Sequence, residues 1–199
     1  VQVIGLTGGI ASGKSTILET LKKMGAVVIS ADEVAHTATQ PGKPAWEDIV
    51  RFFGTGILND DKTINRKKLG EIVFNNRQYL QKLNEITHPR VKEMFKNSLK
   101  EIKEKNPDAI VVLEIPLLYE AGLEKICDEV WVVWVNRENQ IRRLMAREGI
   151  DREEAVKRIE AQLPLDEKAR RADFVIDNNK NVQEAIADIT KYFNERVRK

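Results

Sequence analysis

The stretch Val1-Gln2-Val3-Ile4-Gly5-Leu6-Thr7-Gly8-Gly9-Ile10-Ala11-Ser12-Gly13-Lys14-Ser15-Thr16 decides how the rest of the chain is read. Val1 to Leu6 is an apolar run suited to a buried strand, Gly8 to Ser15 matches G-x-x-x-x-G-K-[ST] completely, and Lys14 to Lys23 continues with helical periodicity. Strand, glycine loop and helix in that order make a phosphate cradle. The glycines let successive backbone N–H groups curl inward, and the helix beginning near Gly13 adds its partial positive end. Lys14 is then placed to meet β- and γ-phosphates, and the Ser15 hydroxyl to ligate Mg²⁺. A glycine-rich turn with a coincidental lysine is the plainer alternative, and the complete motif in its strand-helix context argues against it.

Outward from this loop, Val- and Ile-rich runs recur at Ala26 to Ile29, Ala109 to Ile115, Val130 to Val135 and Phe174 to Ile176. They read as buried parallel strands, five with the first. Helical periodicity fills Asn139 to Arg147, Arg152 to Gln162 and Val182 to Val197. Such alternation implies an α/β fold. Between the second and third strands lie about 80 residues, where one crossover helix needs about a dozen. Pro41, Gly42 and Pro44 open this insertion, turn residues cluster from Gly54 to Asp61, and Arg77 to Lys105 reads as mostly helical.

Composition narrows the function classes. The chain has 199 residues, 42% hydrophobic and 32% charged, which suits one globular domain with a lobe inserted into it. No apolar run is long enough for a membrane span, and Val1 to Leu6 lacks the basic leader and cleavage site of a signal peptide. Cys127 is the single cysteine, so no intrachain disulfide or cysteine metal site is expected, and the cytoplasm is the expected compartment. Between Gln40 and Lys105 there are 14 Lys and Arg against 9 Asp and Glu. That basic excess is either a solvated face or a surface for an anionic ligand. A nucleic-acid partner is not expected, because the sequence pI is about 8.6 and no aromatic-interleaved basic stripe occurs.

Candidate catalytic groups follow the strands. Asp32 comes just after the second strand, where ligands of an open α/β sheet collect. It can take the proton of an acceptor hydroxyl and approach Mg²⁺, with Glu33 in reserve, or it can cap the helix that starts near Glu33. Glu114 ends the third strand and suits either the surroundings of Mg²⁺ or hydrogen bonding at the strand end. Arg137, Arg142, Arg143 and Arg147 fall within eleven residues after the fourth strand. They read as a lid closing on phosphates, while Glu138 with Arg142 and Arg147 with Asp151 have the i, i+4 spacing of ordinary surface pairs. A guanine-specifying Asn-Lys-x-Asp segment is missing, since Asn178-Asn179-Lys180-Asn181 lacks the acidic residue. Trp46, Trp131 and Trp134 are expected in packing roles.

Taken together, these residues resemble the dephospho-CoA kinase family. The resemblance runs through Leu6 to Thr16, Ser30-Ala31-Asp32, Phe53-Gly54, Ile64 to Leu69 and Leu83 to Pro89. It continues through Pro116 to Glu120, Arg143 to Arg147, Arg158-Ile159 with Gln162, and Ala172-Asp173 before Ile176-Asp177-Asn178. Two positions depart from it: Ala11 stands where the family commonly has Gly, and Glu114 where it usually has Asp.

The resemblance implies a P-loop kinase-like three-layer α/β fold around a five-stranded parallel sheet. It divides the chain into a nucleotide-binding core (1–38, 106–138 and 172–199), a helical CoA-binding lobe (39–105) and a lid (139–171). It implies phosphorylation by ATP of the ribose 3′-hydroxyl of dephospho-CoA, the last step of coenzyme A biosynthesis, with Mg²⁺. The catalytic residues implied are Asp32, Lys14 and Arg147, and the ATP-binding residues are Gly9, Ile10, Ala11, Ser12, Gly13, Lys14, Ser15, Thr16, Arg143, Arg147 and Asn178. Substrate contacts are expected from Asp32, Arg66, His88, Arg90, Leu117 and Glu120, with Lys68 as a further candidate for phosphate. Ser15 is expected to hold the metal, with Asp32 the second candidate. The expected partners are these two small molecules, with the protein a monomer or weak homo-oligomer. A small-molecule P-loop kinase acting on a nucleoside or nucleoside monophosphate is the other enzyme compatible with the core, and a nucleotide-dependent regulator the non-enzyme reading.

Overall fold

The computed structural model describes residues 1–74, 76–179 and 181–197, the last two of these without their side chains. Lys180 of the Asn178 to Asn181 segment, and the end of the expected core segment at 198–199, lie outside the described residues. Five strands, β1 (Gln2–Gly8), β2 (Val27–Ser30), β3 (Ile110–Glu114), β4 (Glu129–Trp134) and β5 (Phe174–Asp177), form one parallel sheet in the order β2-β3-β1-β4-β5. The expected α/β architecture is present. Because β1 lies between β3 and β4, its carboxyl end is where the strand order reverses, and ligands of open α/β sheets collect at such a point. The glycine loop leaves the sheet there.

The sheet is held by apolar side chains with a period of two. Ile4 and Leu6 of β1, Val112, Trp131, Val133 and Ile176 form one buried cluster with Ile17, Leu18 and Leu21 of α1 (Lys14–Lys23) and Ala185 and Ile189 of α9 (Val182–Tyr192). Each of the larger side chains contributes about 1.5–3 kcal/mol by leaving water. Trp131 sits in this core edge-on to Phe174 and Tyr192. On the opposite face, Gly5 lies so close to Leu118 and Cys127 that a Cβ there would stand 2.6 Å from the Leu118 side chain and 2.7 Å from the sulfur. No described helix is long and apolar enough to cross a membrane.

The chain separates into two units, Val1–Ser30 with Ile102–Lys199, and Ala31–Glu101. The second unit begins earlier than the expected lobe boundary at residue 39, because β2 ends at Ser30 and α2 (Ala31–Ala38) follows at once. It also holds α3 (Pro44–Phe53), α4 (Arg66–Phe74) and most of α5 (Arg77–Lys105), which is a single 29-residue helix with Pro89 inside. One buried cluster of this unit is Ile49, Ile57, Leu69 and Val73, with Phe53, Leu83 and Ile86 against them; Ala45 and Phe95 are also buried.

Within the first unit, α6 (Arg137–Glu148), α7 (Arg152–Glu160) and α8 (Leu165–Arg170) fill the segment between β4 and β5. Asn136 and Asp151 cap α6 and α7 by accepting backbone N–H bonds at 2.9 and 2.8 Å. Ile141, Leu144 and Ala155 make a separate cluster, and Ile10 and Ala11 of the glycine loop pack against it.

Candidate active site

The loop between β1 and α1 is shaped by alternating backbone signs. Ala11 and Gly13 are both left-handed, at φ 59° and 92°. Alternation of this kind turns successive N–H groups to one side, as an anion nest requires. Gly13 must be glycine for a second reason, since a Cβ there would run into the Asn178 amide, and one at Gly9 would run into that of Gln140. Ser12 is fully buried. Lys14 Nζ donates to Gly9 O at 3.1 Å, while Ser15 and Thr16 open α1 and are exposed.

Three side-chain amides hold this loop by its backbone. Gln140, on α6 and 3% exposed, donates Nε2 to Ile10 O at 2.8 Å. Gln162, just beyond α7, accepts from Ile10 N–H at 3.1 Å, and Asn178, past β5 and 5% exposed, donates to Ser12 O at 2.8 Å. Arg143 Nη2 in turn donates to Asn178 O at 2.8 Å, so Arg143 and Asn178 are joined beside the loop. Sequence reasoning named Asn178 but missed Gln140. The signal was there, because Gln140 occupies the apolar stripe of α6 with Ile141 and Leu144, where an amide has no reason to sit without a buried partner.

The remaining arginines are arranged differently from the expected surface pairs. Arg147 donates to Glu148 at 2.9 Å rather than pairing with Asp151, whose carboxylate is used in capping α7. Glu138 pairs with Arg152 through two bonds of 3.0 and 2.7 Å, not with Arg142, which donates to Asn139. The Arg152 guanidinium draws the Glu138 carboxyl below its usual range.

Beyond β3, the segment Pro116 to Glu120 is fixed from below. Lys168 of α8, fully buried, donates to Pro116 O and to Glu120 Oε1, both at 2.8 Å, and Thr7 donates to the same carbonyl at 3.1 Å. Glu120 also accepts from Leu163 N–H at 2.9 Å. A carboxylate already taken up in this way anchors its segment, whereas Leu117 is 44% exposed. Glu114, opposite Leu6 of β1, makes no side-chain hydrogen bond among the described residues, so the strand-end bonding considered for it is not found. Burial pushes the Tyr119 hydroxyl up to about 12.

In the second unit the candidate groups are more open. Since α2 starts at Ala31, Asp32 lies within its first turn and is not its cap; it is exposed and has no hydrogen-bond partner among the described residues. Arg66 Nη2 lies 2.9 Å from His36 Nδ1. Because a guanidinium only donates, Nδ1 is the acceptor of this pair, while Gln40 Nε2 lies 2.8 Å from His36 Nε2. His36 was not among the expected site residues. His88 is half-buried on α5 and burial holds its pKa below 6.5; with Arg77, Gln81, Asn84 and Glu85 it lines an open cleft of about 570 Å³. Arg90 lies 3.9 Å from Asp48, and the Lys68 side chain is exposed.

Comparison with known proteins points in one direction. The family model for dephospho-CoA kinase matches residues 2–184. The chain is 49% identical over 183 residues to a dephospho-CoA kinase of Carboxydothermus hydrogenoformans, covering 92% of this chain and 88% of that one. Among solved structures it is similar to TT1252 from Thermus thermophilus, with a TM-score of 0.82 and 32% identity over 98% of this chain and 97% of that one. It is also similar to a dephospho-CoA kinase from Campylobacter jejuni, with a TM-score of 0.74 and 31% identity over the same shares, 98% and 97%.

Proposed function

The chain belongs to the dephospho-CoA kinase family, and from that premise we propose how its own residues carry the transfer of phosphate from ATP to the ribose 3′-hydroxyl of dephospho-CoA, giving coenzyme A and ADP. The observation that carries this reading is the phosphate loop at the carboxyl end of β1, in a chain that matches the family from residue 2 to 184. Gly9 to Thr16 form the phosphate cradle, with the Ala11 and Gly13 N–H groups among its donors because Ile10 N–H donates to Gln162 and Ser12 N–H to Gly9 O, and Lys14 neutralises charge on the β- and γ-phosphates. Arg143 and Arg147 take a share of the charge that develops on the transferring phosphoryl group, and with α6 and α7 they exclude water that would otherwise hydrolyse ATP.

Asp32 is the proposed base. As the ribose oxygen forms its bond to the γ-phosphorus, the proton passes to the Asp32 carboxylate while the bond to the β-phosphate oxygen breaks and ADP leaves. An exposed carboxylate with no hydrogen-bond partner among the described residues is free to serve in this way. Mg²⁺, when bound, would lower the charge on the phosphates that the incoming oxygen meets. Oxygen donors suit it, and this chain offers the Ser15 hydroxyl, with the Asp32 carboxylate as the second candidate and Glu114 in the surroundings of the ion. No cluster of three or more His, Cys, Asp or Glu occurs among the described residues.

The lobe from residue 39 to 105 takes dephospho-CoA. Its basic excess, with Arg66, Lys68, Arg90 and His88 as the contacts, answers the diphosphate of that substrate. Leu117 contributes apolar wall, and Glu120 acts by anchoring the segment that carries it. A cytoplasmic enzyme working as a monomer or weak homo-oligomer is the corresponding expectation. The deciding assay incubates the protein with ATP and Mg²⁺ and with dephospho-CoA, AMP, CMP or pantothenate in turn. ADP release is expected with dephospho-CoA alone, and release with another acceptor but not with dephospho-CoA would overturn the assignment.

A further inference from the structure

A trans peptide is planar, so a carbonyl and the N–H of the following residue point in opposite directions. No cis peptide occurs among the described residues. Holding Ile10 O against the Gln140 amide therefore turns the Ala11 N–H away from α6, just as holding Ser12 O against Asn178 turns away the Gly13 N–H. Ala11 and Gly13 are also the two left-handed residues of the loop. For Gly13 that conformation is free of steric penalty, but for Ala11 its Cβ opposes it. Something must hold Ala11 there, and the contact that fixes the peptide leading into it is the Gln140 bond.

We infer that Gln140 is a positioning residue for phosphoryl transfer: through the Ile10 carbonyl it aims the Ala11 N–H as a phosphate donor and keeps Ala11 in its left-handed conformation. Gln162 steadies the same residue from the other side through the Ile10 N–H. Filling of the apolar stripe alone does not account for Gln140, since Met or Leu would fill that space without burying an amide. Packing of Ile10 and Ala11 on Ile141 and Leu144 brings the loop within reach, and the amide then selects one orientation of its peptide. The inference rests on the reading of this loop as the ATP-phosphate cradle.

The test compares the wild-type chain with Gln140→Met, which keeps the volume and removes the donor, by calorimetric titration with ADP and by ATP-dependent kinetics with dephospho-CoA. A misdirected donor is expected to lower ADP affinity and kcat each by about tenfold. A glycine at position 11 reaches the left-handed conformation without help, so Ala11→Gly/Gln140→Met is expected to recover at least about threefold of each loss. A role in packing alone gives no such rescue. ADP affinity and kcat within about twofold of wild type in Gln140→Met, or a double variant no better than the single one, would overturn the inference. If Gln140→Met does not fold by circular dichroism, Gln140→Asn, which keeps the amide but shortens its reach, takes its place with the same expected losses and the same rescue. Should the wild type bind ADP but transfer no phosphate to dephospho-CoA, the acceptor assignment fails, and the ADP affinities alone still decide the role of Gln140.

Discussion

The unit built on the sheet and the unit inserted into it hold their candidate groups in opposite ways. Around the phosphate loop, the groups that matter are backbone N–H donors, and buried side chains fix the loop: Gln140 and Asn178 are each 5% exposed or less, and Lys168, fully buried, fixes the neighbouring Pro116 to Glu120 segment in the same way. In the inserted unit, Asp32, Arg66 and Arg90 are exposed side chains with few or loose partners. A site made of preorganised backbone needs a shell that does not move, because its donors must already face the charge that develops in transfer. Long side chains on a helical surface can instead adapt to a large acceptor, and they lose conformational freedom only when it binds.

The strongest way to break this comparison is to remove one charged group from each unit. Lys14→Ala and Asp32→Asn are each expected to lower turnover by at least about two orders of magnitude, through lost charge stabilisation and lost proton acceptance respectively. They should part in binding. Lys14→Ala also weakens ADP, whereas Asp32→Asn leaves ADP affinity near that of the wild type, as calorimetry would read. Turnover retained in Asp32→Asn would remove the base from the inserted unit and with it half of the contrast.

Stability should divide along the same line. Lys168→Met leaves Pro116 O and Glu120 short of a donor, and is expected to cost about 2 kcal/mol, less than a fully enclosed pair because Glu120 keeps partial contact with water. In a domain of this size that lowers the thermal midpoint by about 4–8 °C. Arg90→Gln breaks only a long, exposed pair with Asp48 and should change stability by less than about 0.5 kcal/mol. Equal effects in a thermal melt would show that burial of the first pair is not what distinguishes the two units.

The inserted unit has its own pH signature. Because burial holds His88 below 6.5 in the folded chain, the unfolded chain takes up that proton first as pH falls. Its contribution is undiminished above 6.5 and is lost as pH drops from there toward the folded-state value. Urea titrations between pH 7.5 and 5 should therefore show a falling midpoint, and His88→Gln should flatten that slope. An unchanged slope would mean that the His88 proton is indifferent to folding.

The same contrast separates what is legible in the sequence from what is not. The phosphate loop, the five strands and α1 are local: Gly8 to Ser15 is a complete motif, and the apolar runs mark each strand to within one or two residues. The grip on the loop is not local, since Gln140, Gln162 and Asn178 reach Ile10 and Ser12 across 130 to 166 residues of chain. Only a buried amide in an otherwise apolar stripe hinted at the first of them. The misread ion pairs have the same origin. Spacing put Arg147 with Asp151, but Asp151 was worth more to the unsatisfied N–H groups of α7 than to a surface arginine. His36 escaped notice because its partner Arg66 is 30 residues away and joined to it only by the packing of the helices.

The smallest expected effect is also the finest test of the contrast, because each unit carries one non-glycine residue of positive φ among the described residues. Ala11 lies in the phosphate loop at φ 59°, and Lys62 in the turn after Asn59 at φ 66°. Glycine at either position removes a left-handed penalty of about 1 kcal/mol or more and adds back roughly half to all of one in unfolded-chain entropy. A net rise of about 1–2 °C in thermal midpoint is expected for each. The two should then separate in function. At Lys62 the turn is closed by its own backbone bond to Asn59 O and by Trp46 donating to Lys62 O, both 2.9 Å, so Lys62→Gly should leave kinetics alone. At Ala11 the same freedom loosens a donor that the buried shell holds in one direction, so Ala11→Gly should make ADP affinity less dependent on Gln140 even as it stabilises the fold. Midpoints that rise together while only the Ala11 variant alters nucleotide binding would place the difference in what surrounds the two residues and not in their backbone angles.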